Sequence, residues 1–68
     1  MQPYQQRVVT EFDELYVKWA DLGRFLGNTT LETLEKLGEE EYNRLNNQYV
    51  IMEQYVNILA ERINSFKQ

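Results

Sequence analysis

Cysteine and histidine are both missing from these 68 residues. Without cysteine no disulfide can staple the fold, and without either residue the commonest zinc ligand sets are excluded. Serine occurs once, at Ser65, outside any nucleophile-elbow pattern, and there is no glycine-rich phosphate loop. Glu39, Glu40 and Glu41 are consecutive. On a helix they point in different directions, so they read as a solvated helix start rather than as metal ligands. Asp13 with Glu14, and Glu32 with Glu35, read likewise as solvent-facing charge. With so few groups for a catalytic constellation, neither an enzyme nor a metal or other cofactor is expected. No apolar run approaches the ~18 residues of a membrane span, and no basic segment precedes an apolar one. The expectation is therefore a soluble cytoplasmic protein without a membrane partner.

Basic charge is also scarce. The net charge is −4, from 11 acidic and 7 basic residues. Duplex nucleic acid is held largely through its phosphates and calls for a basic stripe, and none is visible. A ligand with only two or three phosphates asks for no more than one arginine or lysine per subunit. The acidic balance thus argues against nucleic-acid polymers more strongly than against small anions. A chain of this length forms one domain, residues 1–68. It removes only about 60% of its unfolded surface from water, which leaves a marginal core in need of a staple. Oligomerisation is the staple that remains.

What the chain does have is two long apolar stripes. Val8, Phe12, Leu15, Trp19, Leu22 and Leu26 recur in steps of four and three, and so do Tyr42, Leu45, Tyr49, Met52, Val56, Leu59, Ile63 and Phe66. Such steps keep side chains on one side of a 3.6-residue helix and specify a coiled-coil-like seam. The pattern predicts an all-α, antiparallel hairpin of two long helices, over about 3–26 and 39–66, with a short connecting helix over about 30–37. Pro3 suits a first helical turn, and Gly27-Asn28 reads as a glycine stop of the usual kind. Thr29 followed by Glu32 reads as a capping box for the short helix, with Leu31, Leu34 and Leu37 facing one way and the helix folded over the open end of the pair.

Apolar residues also lie off the seam: Val9 and Tyr16 on the first helix, Ile51, Tyr55 and Ile58 on the last. One hairpin cannot bury two faces of each helix, so these five are the expected interface of a closed homo-oligomer. A wide single stripe with a partly wet rim is the other reading. Tyr4, Gln5 and Arg7 precede the stripe and offer a stacking face, an amide and a planar fork, the groups needed to hold a nucleobase and its phosphate. By residue type alone, an ordinary polar helix start, with Tyr4 packed on Val8, is the default. Lys18 either faces the strip that carries Tyr16, where it needs an anion, or pairs with Glu14 one turn away. Arg62 continues the Ile51, Tyr55, Ile58 strip and has the same two readings.

The opening Met1-Gln2-Pro3-Tyr4-Gln5-Gln6-Arg7-Val8-Val9, then Glu14-Leu15, Lys18, Leu22 and Phe25-Leu26-Gly27, resembles small phage-encoded helical-hairpin proteins. So do Leu45, Gln48, Met52, Tyr55, Leu59, Glu61-Arg62-Ile63 and Phe66. Those proteins are similar to the hairpin shared by the phage anti-CBASS cyclic-nucleotide sponge and the Thoeris anti-defence sponge. The resemblance covers most of the chain, and Pro-Tyr-Gln-Gln-Arg-Val is its most specific part. It implies a compact homohexamer in an infected bacterial cell that sequesters cyclic oligonucleotide second messengers without cleaving them. It also implies that cyclic dinucleotides sit between paired protomers on an N-terminal aromatic and a helix-one lysine, which Tyr4 and Lys18 match. Cyclic trinucleotides would occupy separate threefold pockets with an arginine, for which Arg7 and Arg62 are candidates. The chain is shorter than the better-known sponges, and Tyr16 and Trp19 add aromatic bulk; both departures bear on whether two pocket types are present. The alternative to a sponge is a coiled-coil interaction module docking a helix of a host or phage protein.

Overall fold

The computed structural model describes residues 1–66 and is all-α, with helices α1 (Pro3–Gly27), α2 (Leu31–Leu37) and α3 (Glu39–Ser65). The two long helices lie side by side in a rod 49 × 15 × 14 Å. Their direction is set by three contacts: Tyr4 with Phe66, Glu11 with Tyr55, and Trp19 with Tyr49. As numbers rise along α1 they fall along α3, so the pair is antiparallel. The seam is the core. Val8, Val56 and Leu59 are buried, and the other stripe residues, from Phe12 and Leu15 to Ile63 and Phe66, are half-buried. Among the described residues Leu59 alone is fully enclosed, because two helices share only one line of contact.

The helix ends differ from the expected ones in two places. Gly27 does not leave the helix in a left-handed conformation; among the described residues only Gly38 has a positive φ, at 91°. Instead α1 is closed by side chains. The Asn28 amide donates to the Arg24 carbonyl at 2.9 Å, and the Thr29 hydroxyl donates to the Phe25 carbonyl at 2.8 Å. With Thr29 engaged backwards, the cap of α2 passes to Thr30, whose hydroxyl accepts from the Thr33 N–H at 3.2 Å. The capping box from Thr29 to Glu32 does not form, and Glu32 pairs with Lys36 at 3.4 Å instead.

The short helix also lies elsewhere than expected. It packs on α3 and makes no close approach to α1, so it does not cover the open end. Leu34 and Leu37 are half-buried, but Leu31 is 79% exposed and does not share their environment. Gly38 joins α2 to α3 with φ 91° and ψ 146°, a conformation open in practice to glycine alone. The three glutamates that follow occupy the first turn of α3, where the partial positive charge of the helix start favours them.

Gly23 turns out to be a packing residue. The Tyr49 ring stacks on Trp19 with centroids 5.5 Å apart and planes 18° from parallel. A Cβ at Gly23 would lie 2.8 Å from Tyr49 Cε1, so glycine is what lets that ring lie against α1. Gly23→Val is therefore expected to destabilise the hairpin by about 1–3 kcal/mol through overpacking, although valine is the better helix former. In a Tyr49→Ala background, itself less stable for want of the stacked ring, the same valine should cost much less, a coupling that urea melts of all four proteins read. A valine variant as stable as the parent would contradict the close approach.

Candidate functional site

Arg7, Glu11, Glu14 and Lys18 follow one another at four, three and four residues and share one face of α1. Gln48, Ile51, Tyr55, Ile58 and Arg62 follow at three, four, three and four residues and share one face of α3. The Tyr55 hydroxyl donates to the Glu11 carboxylate, which joins the two rows as a single flank of the hairpin. The contacts at Tyr4–Phe66 and Glu11–Tyr55 bracket the level at which Arg7 lies across from Arg62. Lys18 is about 16 Å farther along α1, at 1.5 Å per residue. Tyr4 stands at the rim of this flank, 51% exposed, with its ring edge-on to Phe66 at 6.0 Å and 83°.

The cations of the flank have a common feature. Arg24 pairs with Asp21, Lys36 with Glu32, and Arg44 with Glu41, each within one turn of its own helix; Arg44 continues the α3 row one turn before Gln48, but its charge is met by Glu41. Among the described residues, Arg7, Lys18 and Arg62 make no ion pair, and the local pair of Lys18 with Glu14 is not formed. All the candidate cations therefore have their charge available, on one side of the molecule. Gln5 is partly committed: its Oε1 accepts the Gln2 N–H at 2.8 Å and secures the start of α1, leaving its amide N–H groups. Tyr4 packs on Phe66, an arrangement that spacing along α1 alone does not reveal.

The five expected interface residues divide between two flanks. Ile51, Tyr55 and Ile58, exposed by 64%, 41% and 54%, lie beside the cations. Val9 and Tyr16 lie on the opposite flank of α1. Lys18 therefore does not face the Tyr16 strip, since residues two apart on a helix point away from each other. Nor are all five without cover in the hairpin. Tyr16 packs on Phe12 at 5.9 Å and Trp19 at 5.6 Å, Val9 is half-buried, and Tyr55 is tied to Glu11. The Glu11 hydrogen bond is the main reason the Tyr55 hydroxyl ionises above its ordinary range; nearby Arg62 pulls the other way. By sign, the neutral phenol stabilises the fold at and below the ordinary tyrosine range, and that contribution is lost as alkaline pH ionises it.

A shallow groove of about 550 Å³ runs along this side of α1, lined by Pro3, Gln6, Arg7, Thr10, Glu11 and Glu14. A second, of about 480 Å³, lies between α2 and α3 against Glu35, Glu39 and Tyr42. Its only charged lining groups are carboxylates, which makes it a poor seat for phosphate. No group of three or more acidic side chains among the described residues is placed to hold a metal ion. No helix among them is long and apolar enough to cross a membrane.

Fold and flank together define a helical hairpin with a one-sided face of cations, one rim tyrosine and exposed isoleucines. Residues 2–65 match the family model described as Sequestin, and the chain belongs to that family, whose name denotes sequestration. No curated protein and no solved structure matches it. The sequence offers Tyr4, Arg7, Lys18 and Arg62 as separate candidates; the four-three-four spacing from Arg7 to Lys18 also puts Glu11 in their row.

Proposed function

We propose that this Sequestin-family chain sequesters small cyclic oligonucleotides, cyclic dinucleotides and cyclic trinucleotides, as a closed homo-oligomer and without cleaving them. The observation that carries the reading is the gathering of Arg7, Lys18 and Arg62, without ion-pair partners among the described residues, on one flank with Tyr4 at its rim. Guanidinium forks and an ammonium group suit phosphates, and a half-exposed phenol ring suits a base. Tyr4 and Lys18 are about 21 Å apart along α1, so one ligand meets both only where two copies face each other. Ile51 and Ile58 supply the apolar ground for that contact, and the resemblance to phage sponges supports a hexamer. Stoichiometric capture in the cytoplasm of an infected bacterium would blunt a cyclic-nucleotide alarm.

Replacing Ile51 and Ile58 together by glutamate is expected to dissociate the assembly while the smaller species keeps its helical circular dichroism. A parent protein that sediments as a monomer at micromolar concentration would remove the basis for a shared site. Binding without chemistry is tested by loading the protein with a cyclic dinucleotide, washing by filtration and denaturing it. The expected result is recovery of the intact ring in stoichiometric amount. Recovery of a linear product would make the protein an enzyme. Failure to retain any cyclic nucleotide, with an intact assembly, would favour the helix-docking module.

A further inference from the structure

Gly38 alone separates α2 from α3. A Cβ added there would meet nothing within 4 Å, so conformation, not space, asks for glycine. At φ 91° and ψ 146° the position lies where other residues are strained. With Gly38 at helical angles, α2 and α3 would become one helix, and its apolar positions would share one register. Leu31, Leu34, Gly38, Tyr42 and Leu45 follow at three, four, four and three residues, and the α3 seam continues the series. By spacing, then, Leu31 belongs to the α3 stripe. In the hairpin it is exposed, and α2 makes no close approach to α1.

A straight α2–α3 helix cannot keep its own α1. The Trp19–Tyr49 stack sets Gly27, eight residues on, level with Glu41, eight residues back. Leu31 would stand ten residues beyond that level, about 15 Å along the axis and about 8–10 Å to the side. The four residues from Gly27 to Leu31 span at most about 14 Å when fully extended. The stripe of α1 must then be covered by the α3 of another copy.

We propose that Gly38 is a hinge between the hairpin and an exchanged pair, in which α2 and α3 run as one helix and α1 packs on the α3 of a second copy. Exchange repeats between chains the α1–α3 contacts of the hairpin. It also lets the two α2 segments meet about the twofold axis, where Leu31 and Leu34 are covered. Glycine holds the balance toward the hairpin on two counts: it takes the positive φ without strain, and it is a poor helix former. Each flank of the pair takes Arg7, Glu11 and Lys18 from one copy and Tyr55 and Arg62 from the other. The inference does not depend on what that flank binds.

Pulsed spin-label distances test it on synthetic full-length chains: the parent, Gly38→Ala made with L-alanine, and Gly38→Ala made with D-alanine. Labels go on Asp13→Cys and Asn57→Cys, both exposed positions in a chain without native cysteine. Dilution with the same chain unlabelled restricts the reading to distances within one chain. In the hairpin the labels sit on neighbouring helices, two residues from the Glu11–Tyr55 contact. In the exchanged pair they are roughly 60 Å apart, the two helical stretches laid end to end. The L-alanine chain is expected to raise the long-distance population over the short one by about tenfold or more relative to the parent. The D-alanine chain, which favours positive φ, should keep the short distance. A short distance in the L-alanine chain, a long one in the D-alanine chain, or loss of helical dichroism in the L-alanine chain overturns the hinge.

Discussion

Leu59→Ala is expected to lower the melting temperature by roughly 10–40 °C, the largest single-site stability loss in the chain. Among the described residues, Leu59 is the one side chain wholly removed from solvent. Truncating such a leucine removes its transfer free energy and leaves a cavity, together about 2–5 kcal/mol. A chain of this size has a total of only about 3–10 kcal/mol to lose, at 0.05–0.15 per residue. Neighbours along the same stripe are half-buried and give less. Leu31→Ala is the matched control: at 79% exposure it should change stability by no more than about 0.5 kcal/mol. Thermal melts followed by helical dichroism separate the two, and equal melting temperatures would mean that the seam is not the core.

Tyr4→Ala is expected to weaken cyclic-dinucleotide binding about a hundredfold or more. Base stacking on an aromatic ring contributes about 1–3 kcal/mol per base, and a twofold site uses Tyr4 from both copies. Tyr4→Phe should lose little, since the ring's edge contact with Phe66 does not involve the hydroxyl. Lys18→Ala should weaken binding and also flatten its salt dependence, because a phosphate partner is gone. Calorimetry at two salt concentrations reads all three. Equal losses for alanine and phenylalanine at position 4 would transfer the role from the ring to the hydroxyl.

The seam was legible because helix periodicity and burial are coupled residue by residue: every stripe position from Val8 to Phe66 is at least half-buried. The helix joints were less so. Thr29 and Thr30 are both competent caps, and the choice fell to Thr30 because the Thr29 hydroxyl reaches back to Phe25. The packing role of Gly23 was not legible because the ring it accommodates, Tyr49, is 26 residues away in sequence. The deeper gap concerns the flanks. Periodicity says which residues share a face of their own helix. Which flank of α1 adjoins which flank of α3 follows only when the two seams are set face to face in antiparallel order, a step beyond reading either helix by itself. The Glu11–Tyr55 bond resolves the choice. It gathers Arg7, Lys18 and Arg62 beside Ile51 and Ile58, and leaves Val9 and Tyr16 on the other side.

Native mass spectrometry of the full chain tests the central claim most directly. The panel should include cyclic dinucleotides, cyclic trinucleotides, cyclic nucleotides whose phosphates are joined as a pyrophosphate, and linear dinucleotides as controls. The account predicts a single closed oligomer, expected at six copies, that gains the mass of intact cyclic ligand in whole-number stoichiometry and ignores the linear controls. A one-copy species that binds no member of the panel would contradict it.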